Sequence, residues 1–142
     1  MYYFSIFLFL SGCLFLITRV ESEPSSTAAP QIENYSVNVN SGIIHLSLML
    51  RNPYNSFVFD GALIGVDCTM EQGGVQQYRL LLAGAEGLPD QFEQLKLEPF
   101  LTEVEVDVPL EPKGTWQISL AIPLVSERPV ATCAPPTIRG AW

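Results

Sequence analysis

Three sets of residues in this chain of 142 have the types and spacing to do chemistry: the single His45, the acidic strip Glu103, Glu105 and Asp107, and the cysteines Cys68 and Cys133. A nucleophilic mechanism built on His45 needs a Ser or Cys presented on a strained turn and an acid to orient the imidazole, and the sequence carries no GxSxG elbow. His45 instead alternates with Ile44 and Leu46, which puts it on the polar face of a strand, directed at solvent or a neighbouring strand. Glu103, Glu105 and Asp107 have the composition of an acid–base pair or a calcium site. Their period-two spacing, however, lines them along one strand face about 7 Å apart, the pattern of a solvated face. Neither set points to a catalytic residue, and one His without a CxxC pair gives no metal or cofactor site.

Cys68 and Cys133 are left as an even pair once Cys13 is assigned to the apolar N-terminal segment. Two readings stand side by side: a bridge, adding about 4 kcal/mol in the chain-entropy model, or two buried free thiols, since Cys68 falls on the inward face of its strand. Asn34-Tyr35-Ser36 is an N-glycosylation sequon, meaningful only in a eukaryotic secretory lumen.

The elements that must position these residues read as strands. Tyr35, Val37 and Val39 alternate with polar residues, and the same period of two puts Ile44, Leu46, Leu48 and Leu50, then Ala62, Ile64, Val66, Cys68 and Met70, then Tyr78, Leu80 and Leu82, then Val104, Val106, Val108 and Leu110, and then Trp116, Ile118, Leu120, Ile122 and Leu124 each on one strand face, with a short strand over Val130 to Cys133. Turn signals at Asn52-Pro53-Tyr54-Asn55, Gly73-Gly74, Gly84 to Pro89 and Pro112-Lys113-Gly114 separate them. Asp90 to Leu97 can form one helical turn. The pattern predicts an all-β fold, an antiparallel β-sandwich of six to seven strands over residues 33–136, followed by a C-terminal tail at 137–142. Pro109 and Pro123, on polar faces, suit strand ends or sheet edges.

Ahead of the domain, Met1 to Thr18 is uncharged and strongly apolar, an N-terminal apolar helix in a membrane or a secretory signal within residues 1–22. Val20-Glu21-Ser22 offers a cleavage site, the run of 18 is at the short end for a transmembrane anchor, and Leu10-Ser11-Gly12-Cys13 has the form of a bacterial lipobox. Each reading places the rest of the chain outside the cytosol, secreted or membrane-anchored. Residues 23–32, rich in Pro, Ser and Ala, read as a flexible linker. With 15 acids against 7 bases and a net charge of -8, the chain repels phosphate backbones, which excludes nucleic acid as a partner and weakens contact with anionic lipid headgroups.

Leu46 to Asn55, an alternating strand running into Asn52-Pro53, resembles the late-embryogenesis-abundant group 2 domain, also called the water-stress and hypersensitive-response domain. Ala62 to Met70, Val104 to Leu110, Trp116 to Leu124 and Cys133-Ala134-Pro135 follow in the order seen in that family. The resemblance implies a fibronectin- or immunoglobulin-like sandwich beyond a membrane, an association with stress or defence, no catalytic residues, and a structural role for Asn52 and Pro53. The expected function is therefore non-enzymatic contact with protein or lipid. The alternative is a small secreted lipid carrier whose sandwich opens around an acyl chain.

Overall fold

The computed structural model describes residues 28–88, 90–124 and 130–142. The apolar segment 1–22, Cys13 and the linker up to residue 27 lie outside the described residues. The elements run β1 (Gln31–Asn40), β2 (Ile43–Arg51), β3 (Gly61–Met70), β4 (Val75–Ala83), a short 3₁₀ helix (Asp90–Leu97), β5 (Leu101–Glu105), β6 (Thr115–Pro123), β7 (Val130–Cys133) and β8 (Thr137–Ala141).

Two sheets form. In the first, β1, β2 and β6 pair antiparallel in that order. Ser41 and Gly42 close the β1–β2 hairpin with φ of 52° and 75°, the two positive values that a tight right-twisting turn requires. The second sheet has the order β5-β4-β3-β7, with β8 also on β3. β3 is thus flanked by β4 along one side, and on the other by β7 at Cys68–Met70 and β8 at Ala62–Gly65.

Alternation decides which side chains meet. Ile44, Leu46, Leu48 and Leu50 of β2 and Trp116, Ile118 and Ile122 of β6 pack in one cluster with Ala62, Ile64, Val66 and Cys68 of β3 and Tyr78, Leu80 and Leu82 of β4. The inner faces of both sheets are therefore buried in one core. Each aliphatic side chain removed from water there contributes about 1.5–3 kcal/mol.

The outer face of the second sheet is also covered. Leu63, Leu81 and Leu88 form a smaller cluster, shielded by Phe92 and Leu95 of the 3₁₀ helix, Leu101 and the terminal Trp142. Phe92 and Trp142 stack with ring centroids 4.9 Å apart.

Several expectations are corrected. There are eight strands among the described residues rather than six or seven, and residues 137–142 are not a tail, because Thr137–Ala141 completes the edge of β3. β1 begins at Gln31, two residues inside the expected linker. The sheets are not wholly antiparallel. β5 runs parallel to β4, with Arg79 opposite Leu101 and Ala83 opposite Glu105, because the long connection through the 3₁₀ helix lets the chain cross over and return in the same direction. The expected strand Val104 to Leu110 stops at Glu105. Pro109 lacks the N–H a ladder needs, Val108 is 41% exposed, and Leu110 turns inward through an isolated bridge to Phe59.

Candidate contact site

β5 ends the five-stranded sheet, so its far side has no hydrogen-bonded strand among the described residues. Two features place it. The backbone N–H of Arg79 donates to Phe100 O at 3.1 Å, and that of Val106 donates to Ala83 O at 2.9 Å, fixing both ends of the strand against β4. The Arg79 guanidinium pairs with the Glu98 carboxylate and ties the returning connection to the sheet. Beyond β5, Trp116 Nε1–H donates to Asp107 O at 2.7 Å, holding the segment after the strand against β6.

Glu103, Glu105 and Asp107 are all exposed along this edge, and three clefts meet at Glu105. One, of about 240 Å³, has Leu81, Ala83 and Leu88 as apolar floor and Glu103, Glu105 and Lys96 on its walls. A second, of about 550 Å³, places Asp60, Glu86, Glu105 and Asp107 around Val106, Val108 and Trp142. The third, of about 380 Å³, runs from Glu105 to Gln117 past Pro109 and Trp116. The acids thus rim partly apolar hollows, an arrangement suited to a cationic group on an aliphatic stem. The acids were legible in the sequence. The walls supplied by Gly84 to Leu88 and Trp142 were not, since they come from a turn and a terminus with no period of their own.

The other singled-out residues stand apart from this edge. His45 is exposed on the outer face of the first sheet, opposite Asn38 and Ala121. Asn34 is exposed on the same face, opposite Met49. Cys68 and Cys133 face each other in the β3/β7 register and their sulfurs are joined. Among the described residues no group of three or more His, Cys, Asp or Glu is placed to hold a metal ion.

Asn52 is fully buried directly after β2 and joins three loops. Its Nδ2 donates to Phe57 O at 2.8 Å and Leu110 O at 3.1 Å, and its Oδ1 accepts the Tyr54 N–H at 3.0 Å, closing a turn over Pro53. Its backbone N–H donates to Gly114 O, and its C=O accepts from the Lys113 N–H. The side chain's donors and acceptor are used inside the fold, so none is available to a ligand. Tyr54, Phe57 and Phe59 pack their rings beside it, the first two with centroids 4.4 Å apart. Tyr78, also buried, has a hydroxyl with no partner among the described residues, and burial pushes its phenol above the ordinary tyrosine range.

Comparison with family models, curated proteins and solved structures finds no match for this chain.

Proposed function

We propose that this chain is a non-enzymatic β-sandwich of the fibronectin- or immunoglobulin-like kind, held outside the cytosol by residues 1–18 or released after them. Its work is contact with another protein along the acid-rimmed edge of β5. The observation that carries this reading is the convergence of three clefts on Glu105, with Glu103, Asp107, Asp60 and Glu86 at their rims and Leu81, Ala83 and Leu88 below. Carboxylates above an apolar floor favour a partner presenting Lys or Arg, whose stem packs while its charge is neutralised. An edge strand with its backbone groups unpaired on one side also accepts an added strand.

The late-embryogenesis-abundant resemblance supports the sandwich through the Asn52-Pro53 turn, which here closes one end of the fold. A lipid carrier needs room between the sheets, and Ile64, Val66, Leu80 and Leu82 are fully buried there in one packed cluster, so protein contact is preferred.

Translating the full chain in the presence of microsomes tests the location. Residues after the apolar segment become protected from added protease if the reading is right, and a chain fully digested with membranes intact refutes it. A fluorescent oligolysine peptide probes the edge. Its binding should weaken in E103Q/E105Q/D107N and persist in E33Q/D67N/E71Q, which removes equal charge from exposed positions outside the three clefts. Equal weakening in both variants would mean that only net charge matters.

A further inference from the structure

The outer face of the β1-β2-β6 sheet differs from the rest of the surface. In register across the three strands stand Asn34, Met49 and Gln117, then Ser36, Ser47 and Ser119, then Asn38, His45 and Ala121. None of these carries a formal charge at neutral pH in a chain whose net charge is -8. The nearest charges on this sheet, Arg51 and Glu33, are paired with each other at 3.2 Å. Three strands make this neutral surface roughly 10 Å wide. Two hollows sit on it: one of about 90 Å³ bounded by Asn34, Tyr35, Ser36, Ser47, Met49 and Gln117, the other of about 370 Å³ around Asn38, His45, Ser47 and Ser119.

Asn34 is at the rim of this face and begins Asn34-Tyr35-Ser36, the single N-x-S/T triplet in the sequence. β1 is an edge strand, and its pairing register shifts between Ile32 and Asn34, so Asn34 sits where the ladder is locally opened. Both Asn34 and Ser36 are exposed, and the Asn34 side chain makes no hydrogen bond to another described residue. This contrasts with Asn52, whose amide is fully committed inside the fold.

We propose that Asn34 carries an N-linked glycan and that its first sugars lie on the uncharged β1-β2-β6 face. The inference rests on the export of the chain proposed above. In the transfer, Asn34 Nδ2 displaces the pyrophosphate of a polyprenyl-pyrophosphate-linked oligosaccharide at C1 of its terminal N-acetylglucosamine. The N–C1 bond forms, the C1–O bond to phosphate breaks, the polyprenyl pyrophosphate leaves, and the amide gives up one proton to a base of the transferring enzyme. A neutral sugar then covers this face without taking any unpaired charge out of water. The amides and hydroxyls of Ser36, Asn38, Ser47 and Gln117 offer donors and acceptors, and half-buried Met49 an apolar contact.

The full-length chain, expressed in cells with a eukaryotic secretory pathway, should show slower gel mobility that peptide-N-glycosidase reverses, leaving Asp at position 34. N34Q and S36A should each abolish the shift. Hydroxyl-radical footprinting should oxidise Met49 several-fold less in the glycosylated chain than after native enzymatic deglycosylation. Compartment is read in parallel by protease protection. An exported chain with Asn34 unmodified overturns the glycan and leaves the export reading standing, whereas a chain retained in the cytosol overturns both. Equal oxidation of Met49 with and without sugar overturns the placement on the sheet face.

Discussion

Removing the Asn52 amide should destabilise the fold far more than an average polar substitution. In Asn52→Ala, Tyr54 N–H and Phe57 O lose their partner, and neither has another among the described residues, whereas Leu110 O still accepts from Phe59 N at 3.3 Å. Two orphaned groups at about 1–3 kcal/mol each set the loss at about 2–6 kcal/mol, with the lower end reached if water enters the vacated space. Against an ordinary domain stability of about 5–15 kcal/mol, that leaves the fold marginal. Urea unfolding followed by tryptophan fluorescence, for which buried Trp116 is a reporter, gives the difference directly. Asn52→Asp sharpens the test. The new carboxylate would face Phe57 O and Leu110 O, so burial and carbonyl repulsion raise its pKa in the fold above the unfolded value. Its protonated form can donate one of the two lost bonds. The variant should therefore be closest to wild type below about pH 4 and fall further behind as pH rises through the raised value. A loss under about 1 kcal/mol for Asn52→Ala, or a pH-independent deficit for Asn52→Asp, would refute the assignment of Asn52 as the tie between three loops.

Tyr78→Phe should stabilise the chain by about 1 kcal/mol, since it removes a buried hydroxyl without a partner. Because burial raises the Tyr78 phenol, wild-type stability is fully present below about pH 10 and declines as pH climbs from there through the raised value. Unfolding midpoints across that range should show a shallower decline in the Phe variant. Replacing Cys68 and Cys133 together with Ala should cost about 4 kcal/mol on loop entropy, and thiol titration of an unreduced, denatured Cys13→Ser chain should find no free thiol. Gly61→Ala would set a methyl 2.5 Å from the Trp142 indole and 2.7 Å from Leu82 O, so a thermal unfolding midpoint lowered by several degrees is expected, corresponding to about 1–3 kcal/mol.

The strands were legible where one face is buried and the other wet. Leu46, Leu48 and Leu50, or Ala62, Ile64 and Val66, carry the period of two that burial of one face imposes. Where a second layer covers the outer face, the pattern blurs: Leu63 and Leu81 break the alternation because the 3₁₀ helix and Trp142 pack over them. Thr137–Ala141 was illegible as a strand because its pairing is with β3, far away in sequence, and its own residues are too few to show a period. Val104 to Val108 shows the opposite failure, an alternation that outlasts the strand because a sequence period carries no information on where pairing ends. The acidic strip was read correctly as solvated, yet its partner walls at Gly84 to Leu88 meet it only through the parallel return of β5. Asn52 was marked by its place before Pro53, while its bonds to Phe57 and Leu110 depend on a closure that only the tertiary fold supplies.

Backbone amide shifts on titrating the full-length chain with an oligolysine peptide test the proposed contact edge most directly. If β5 is the contact edge, salt-sensitive shifts concentrate at Ala83 to Gly87 and Glu103 to Asp107, with the β1-β2-β6 face still. Shifts spread evenly over all exposed acids, or centred away from β5, would contradict it.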